Sequence, residues 1–329
     1  MGGDHAPAVV IEGAARALEA DHALKILLCG AEEAVAPLAQ QTDRCIAIPT
    51  TEVIGMAEHP ANAVRQKKDS SIVRGCALVK DGRADGFFSA GSTCACLAAA
   101  TLVMGRAKGV KRPALGVILP AYERPAFLVD VGANADCKPE YLVQFAKMGA
   151  IYMHSVMGVE TPRVGLLNIG EEDTKGSAFA QEAHSLLASE VPEFAGNCEG
   201  GDLMTGAFDV VVTDGFTGNV CLKTIEGTAK VLFKHVKDAL TSSAKAKLGA
   251  ALVRGSLSDM KDELDPDRYG GTPLLGVRGT CIVGHGSSNA EAVMNGILAG
   301  CMQVREGVSD KIAAAFAPAV APKDGAPCS

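Results

Sequence analysis

The stretch Val164-Gly-Leu-Leu-Asn-Ile-Gly-Glu-Glu-Asp-Thr-Lys-Gly-Ser177 decides how this chain is read. Val164 to Ile169 is a short apolar run with β-branched ends, which reads as a strand. A glycine-bounded acidic turn follows, and Ser177 then opens the helix-length pattern Ala178 to Ser189. Ser177 suits an N-cap, so strand, turn and helix form one βα unit. Lys175 sits beside the positive end of that helix macrodipole, where a cation generally costs stability. A bound anion removes the conflict; neutralisation by Glu171, Glu172 and Asp173 as a surface cluster is the alternative.

The same unit recurs in both directions. Further candidate strands are Leu24 to Cys29, Cys45 to Pro49, Gly86 to Ser89, Leu115 to Leu119, Phe127 to Val131, Val210 to Thr213 and Cys281 to Gly284. Helical patterns include Ala8 to Glu19, Cys94 to Val103, Tyr141 to Met157 and Ala290 to Val304. This alternation implies an α/β fold, doubly wound, with a mainly parallel sheet and helices on both faces. Residues 1–308 are expected to form a single domain, and the alanine- and proline-rich 309–329 a partly disordered tail.

One segment breaks the rhythm. From Gly218 to about Leu264 no strand is evident, and the pattern suggests two long helices joined near Ser242 to Lys247. Between Lys223 and Arg254 seven Lys or Arg residues face two acids, Glu226 and Asp238, an excess of five positive charges. Leu240, Leu248, Leu252 and Val253 give this projection an apolar side. Such a hairpin suits an acidic protein or an anionic membrane surface; a dimer arm or a solvated face is the plainer alternative.

Composition removes several classes of function. The 329 residues carry a formal net charge of −7, which argues against general nucleic-acid binding. Aromatics make up only 4% and tryptophan is missing, so stacking platforms are scarce and the core is aliphatic. The eleven cysteines are scattered without metal or redox spacing, as in a reducing cytoplasm. No signal peptide and no membrane-spanning run is visible, so a cytoplasmic location is expected, and no metal or cofactor is called for.

In open parallel sheets, ligands bind beyond the carboxyl ends of the strands. Five loops of small polar residues follow candidate strands: Ser89-Ala-Gly-Ser-Thr93, Asp130-Val-Gly-Ala-Asn134, Asn168 to Gly176, Asp214-Gly-Phe-Thr-Gly-Asn219 and Gly284-His-Gly-Ser-Ser-Asn289. Gathered on one edge of one sheet, they would offer backbone N–H groups and hydroxyls to phosphate or a developing oxyanion. None is a Walker-type phosphate loop or a dinucleotide fingerprint. At the amino end, Met1-Gly-Gly-Asp-His-Ala-Pro7 is either a frayed terminus or a close-approach loop carrying an acid-base group. His5 and His285 both adjoin glycine and are candidates to approach a ligand; His154, His184 and His235 read as ordinary helix histidines, and His59 in Glu58-His-Pro60 as part of a turn.

With these segments assembled, the sequence resembles the bacterial phosphate acyltransferases that make acyl phosphate from acyl carrier protein thioesters. The likeness runs from Met1-Gly-Gly-Asp-His-Ala-Pro7 through Glu58-His-Pro60, Lys67-Lys-Asp-Ser-Ser71, Asp130 to Asn134, Asp136-Cys-Lys-Pro139 and Leu166 to Glu172. It continues through Asp214-Gly-Phe216 with Gly218-Asn219, Tyr269-Gly-Gly271, Pro273 to Gly276 and His285 to Ser288. The resemblance implies a homodimeric fold similar to phosphotransacetylases and distantly to isocitrate- and isopropylmalate-type dehydrogenases. It also implies a soluble enzyme of phospholipid synthesis that touches the membrane peripherally through the 218–264 hairpin, with Lys245, Lys247, Leu248, Leu252 and Val253 in contact with lipid or carrier.

Carried onto this chain, the resemblance makes His5, Lys175 and Asn219 the catalytic candidates, and Gly3, Asp4, Ser89, Gly91, Asn134, Gly218, His285, Ser287 and Ser288 the substrate-binding ones. The partners it implies are acyl carrier protein and inorganic phosphate. Two departures stand out: family members usually carry a short strand before the Met-Gly-Gly motif, at which this chain begins, and an asparagine and a glycine are more usual at Ser92 and Cys94. The expected chemistry is direct attack of phosphate on a thioester without metal, the protein positioning the anion and stabilising charge on the carbonyl oxygen. Alternatives are a covalent route through Cys94 or Cys137, a phosphotransacetylase using coenzyme A thioesters, and a non-catalytic scaffold that gathers acyl carrier protein at the membrane.

Overall fold

The computed structural model describes residues 1–264 and 266–317. Its strands are β1 (Ile26–Gly30), β2 (Cys45–Pro49), β3 (Gly86–Ser89), β4 (Ala114–Leu119), β5 (Ala126–Val129), β6 (Val164–Asn168), β7 (Phe194–Glu199), β8 (Val210–Val212), β9 (Thr272–Leu275) and β10 (Thr280–Val283). β1 and β2 pair in parallel as a separate two-stranded sheet. The other eight form one sheet in the order β3-β10-β9-β4-β5-β8-β6-β7.

Burial on both faces explains why the central strands read as continuous apolar runs. Phe127, Val129, Val210 and Val212 face one layer of helices with Leu142, Phe145 and Met148. Leu115, Leu128 and Val211 face the other, with Cys96, Met104 and Cys76. The fold is thus the expected helix-on-sheet architecture, mostly parallel.

Three pairings are antiparallel, and they matter for everything below. β9 runs against both β10 and β4, and β4 runs against β5. The β4–β5 pair is a hairpin joined by residues 120–125, and β9 is a strand that period alone does not separate from the loop before it. β7 and the helices Glu32–Gln41, Pro60–Gln66 and Ser71–Lys80 are likewise additions to the sequence reading.

The 218–264 projection is one 27-residue helix, Gly215–Thr241, followed by two short ones, Ala244–Leu252 and Arg254–Glu263, rather than two long helices. Ser243 caps the second through the Ala246 N–H, which fixes the expected break; Val253 makes another. Neither short helix buries a residue, and no described helix is long and apolar enough to cross a membrane. The expected tail begins as a helix, Val308–Ala315, because Val308 and Ile312, one turn apart, pack into the core beside Pro139–Met157. Residues 318–329 of that tail lie outside the described residues.

Candidate active site

The amino-terminal loop is folded into the protein rather than frayed. The Asp4 N–H donates to the Gly286 carbonyl at 2.8 Å, tying residues 1–6 to the loop after β10. A Cβ on Gly3 would stand 2.9 Å from the Ala90 carbonyl and 3.2 Å from that of Gly286, so the absence of a side chain lets three backbones meet here. Ser89 Oγ accepts the Gly91 N–H at 3.2 Å, and Ser92 Oγ caps the helix Thr93–Ala99 through Ala95. Serine at 92 therefore does the capping work that asparagine does equally well.

On the same edge, Ser287 donates its backbone N–H to His285 Nδ1 at 3.3 Å, and Ser287 Oγ lies 2.7 Å from that nitrogen. A backbone N–H only donates, so Nδ1 accepts and the neutral ring carries its proton on Nε2. His5 and His285 are exposed and Ser288 is buried. Gly3, Asp4, His5, Ser89, Gly91, His285, Ser287 and Ser288 thus form one cluster at the carboxyl ends of β3 and β10.

The second cluster is built on Asp130. This side chain is fully buried at the end of β5 and accepts from the N–H groups of Leu115, Gly132, Ala133 and Asn134 and from Asn134 Nδ2. Burial pushes its carboxyl up from the ordinary value, while these donors pull it back. Asn134 also donates to Pro113 O at 2.8 Å, and the Gly215 N–H donates to Asn134 O at 2.8 Å. Asp214 caps the long helix, and a Cβ on Gly218 would lie 1.9 Å from Asp130 O, so that helix starts hard against the loop. Exposed Asn219 packs beside Gly132.

Lys175 belongs to this second edge, in the loop after β6. Its Nζ lies 3.7 Å from Glu172 Oε1 with both side chains substantially exposed, a loose surface pair that leaves the ammonium open to solvent. The loop itself is held from beneath: Asn197 Nδ2 donates to Glu172 O at 2.9 Å, and His184 Nδ1 meets Asn197 Oδ1 at 3.0 Å. His184 Nε2 lies 3.3 Å from Asp173 Oδ1, an ion pair only when the ring is protonated. His184 is therefore a positioning residue for this loop, which nothing in its helix-interior sequence context reveals.

The expected single rim of five loops is two rims. Because β9 and β4 interpose antiparallel joints, the carboxyl ends of β3 and β10 point one way and those of β5, β6 and β8 the other. From β10 to β5 is three inter-strand steps, about 14 Å, and to β6 about 24 Å. One chain therefore places His5 at one edge and Lys175 and Asn219 at the opposite edge.

Other residues support the first cluster. Glu58 Oε1 accepts the Gly55 N–H and Lys67 Nζ, both at 2.6 Å, and Lys67 also donates to Val53 O at 2.7 Å. Lys67 and the Gly55 amide hold the Glu58 carboxyl below its usual range. This pins residues 53–58, whose Ile54 carbonyl and Met56 side chain border Gly2 and Gly286. Cys137, on the second edge, is a poor thiolate: burial pushes it up to about 11. Cys94 is exposed on the first turn of its helix. Among the described residues no group of three or more His, Cys, Asp or Glu side chains is placed to hold a metal ion.

Comparison with known proteins gives a consistent picture. A family profile described as fatty acid synthesis protein matches residues 1–311. A phosphate acyltransferase of Desulfitobacterium hafniense strain Y51 is 47% identical over 316 residues, covering 95% of this chain and 94% of that protein. One from Lysinibacillus sphaericus strain C3-41 is 48% identical over 298 residues, 90% of each chain. Among solved structures, a phosphotransacetylase from Streptococcus pyogenes superposes with a TM-score of 0.62 at 17% identity, covering 92% of both chains, and the EutD phosphotransacetylase from Staphylococcus aureus with 0.55 at 17%, covering 91% and 92%. At such identities these structures speak to the fold alone.

Proposed function

Because the chain belongs to the fatty acid synthesis protein family of phosphate acyltransferases, we propose that it transfers a fatty acyl group from acyl carrier protein to inorganic phosphate, releasing acyl phosphate and the free carrier thiol for phospholipid synthesis. Phosphate is already anionic at neutral pH, and a thiol leaves readily. The protein's task is then to hold phosphate against the thioester and to stabilise the charge that develops on the carbonyl oxygen. His5 orients or relays a proton, Lys175 faces the anion and Asn219 donates a hydrogen bond, with the amides and hydroxyls of Gly3, Gly91, Ser287 and Ser288 around them.

The observation that shapes this reading is the reversal of strand direction. Groups wanted at one reacting centre stand on opposite edges of one chain, so the active form is a homodimer in which His5 of one copy meets Lys175 and Asn219 of the other. The helix that carries Asn219 supports this: Phe216, Val220 and Val231 are exposed along it, four and eleven residues apart and so on one face, an apolar stripe that a second copy would bury. The basic projection, with Lys245 and Lys247 beside exposed Leu248, Leu252 and Val253, suits contact with an anionic membrane or the carrier protein and gives a cytoplasmic enzyme a peripheral hold on lipid.

Mixing two inactive variants tests both parts. His5→Ala and Lys175→Ala each lose on the order of 10²-fold in turnover. Unfolded and refolded together, they form mixed dimers with one intact site, restoring roughly 25% of wild-type acyl phosphate formation if each site draws on both copies. No recovery in verified mixed dimers refutes the shared site. A wild-type protein that releases no thiol from acyl carrier protein with phosphate, whether or not it acts on coenzyme A thioesters, refutes the proposed substrate.

A further inference from the structure

The stretch Gly105-Arg-Ala-Lys-Gly-Val-Lys-Arg-Pro113, which leads into β4, carries four cations and no acid in a chain whose formal charge is −7. The fold adds two more. Arg278, in the turn between β9 and β10, arrives because β9 ends beside the start of β4, and Lys138 shares a groove with Lys111 and Glu140. Arg106, Lys108, Lys111, Arg112, Lys138 and Arg278 are all exposed. Among the described residues only Lys111 of these has a carboxylate partner, Glu140 at 2.8 Å. The Arg106 guanidinium donates to Lys111 O, Arg278 Nε donates to Arg106 O at 3.3 Å, and Arg112 lies over the Tyr141 ring, 6.0 Å from its centroid. None of those contacts cancels a charge. Past Lys138 the signs balance again, where Lys147 pairs with Glu190 at 3.9 Å.

We propose that this basic edge is the docking face for the acyl carrier protein, engaged through an acidic face of the carrier. The inference rests on the reaction proposed above; it assigns the carrier to this edge and leaves the projection to the membrane. Position is the first reason. Asn134 Nδ2 donates to Pro113 O at 2.8 Å, the Leu115 N–H donates to Asp130 Oδ1 at 3.1 Å, and the Gly215 N–H donates to Asn134 O at 2.8 Å. The basic stretch is thereby joined to the Asp130 cluster and to the helix that carries Asn219. A protein seated on it holds a tethered acyl group at the entrance to that cluster.

Rigidity is the second reason. The Ala107 N–H donates to Gly276 O and the Arg278 N–H to Gly105 O, both at 2.9 Å. From the helix Pro139–Met157, Gln144 accepts the Lys111 N–H at 2.7 Å and donates to Gly109 O at 3.0 Å. A backbone fixed in this way presents its cations without losing loop entropy on binding, and charge complementarity then sets register and association rate. Leu102, 51% exposed and three residues before Gly105, adds an apolar contact. A lipid surface fits this edge poorly, because Leu102 alone offers little to insert where the projection offers Leu248 and Leu252. Nucleic acid fits it poorly too, since the chain is acidic overall and Arg112 already covers Tyr141.

Fluorescence anisotropy of labelled, acylated carrier protein reads docking directly, in buffer without phosphate and so without turnover. Lys108→Glu combined with Arg278→Glu should weaken binding at least ~10-fold and raise KM for the carrier thioester by a similar factor, with kcat within about 2-fold of wild type. Lys108→Glu alone changes a side chain with no hydrogen bond or ion pair among the described residues, so it serves if the double variant fails to fold; it should weaken binding ~3-fold. Added salt should weaken the wild-type complex more steeply than the variant complexes. Unchanged affinity and KM in folded variants, while the wild type binds and deacylates the carrier, overturn this docking face and leave the proposed reaction standing. A loss confined to Lys245→Glu with Lys247→Glu overturns it in favour of the projection. A wild-type protein that neither binds nor deacylates the carrier removes the reaction and the docking face together.

Discussion

Replacing Asp130 with asparagine tests whether one buried carboxylate builds the second cluster. Oδ1 accepts from Leu115, Gly132 and Ala133, and Oδ2 from the Asn134 backbone and side chain. Whichever way the amide is turned, its NH₂ group faces at least two donors in place of an acceptor. Hydrogen bonds to a charged acceptor contribute about 1.5–3 kcal/mol each, so the gross loss is about 3–6 kcal/mol. The neutral amide escapes the carboxylate's desolvation, which offsets part of this and leaves a net loss of about 2–4 kcal/mol. Urea unfolding monitored by circular dichroism reads the loss as a lower midpoint at unchanged slope. Acyl phosphate formation should fall as well, because Asn219 packs on Gly132 of the same loop. A variant within about 0.5 kcal/mol of wild type and normally active would show that the loop holds its shape without this carboxylate.

Other expectations follow from single contacts. Glu58 has its folded pKa below the ordinary 4.5, so its contribution to stability is present above that value and is lost as pH falls through the depressed one. The difference in melting temperature between wild type and Glu58→Gln should therefore shrink below pH 4.5; a difference constant from pH 7 to 3 contradicts the assignment. With its thiol near 11, Cys137 is almost wholly protonated at neutral pH, so Cys137→Ser should keep turnover within about 3-fold, and trapping of a labelled acyl group on Cys137 would sink direct attack by phosphate. Leu252 is 82% exposed at the projection; if it inserts into lipid, Leu252→Glu should weaken sedimentation with anionic liposomes at least ~10-fold, and unchanged sedimentation removes that role.

Much of the candidate site was legible because its residues are chemically unusual where they stand. Ser89, Gly91 and His285 are small or polar groups at the ends of apolar strands, a pattern that the physics of strand ends makes readable, whereas Gly3 and Asp4 stood out only through the ordered family motif. The supporting residues were not. Glu58 and Lys67 are nine residues apart and meet only because a turn and the helix Pro60–Gln66 bring them together. His184 looks like any helix histidine until Asn197, on β7, shows what it holds.

The sequence by itself determined the α/β class, most of the strands, the projection and the family, since each is a matter of local period or ordered motifs along the chain. Only the tertiary structure decided which loops share an edge. Side-chain alternation is the same for parallel and antiparallel neighbours, so nothing in Leu115 to Leu119 or Pro273 to Gly276 announces that β4 and β9 turn the sheet around. That reversal sends His5 one way and Lys175 and Asn219 the other, and pairing partners far apart in sequence, not any local preference, set it.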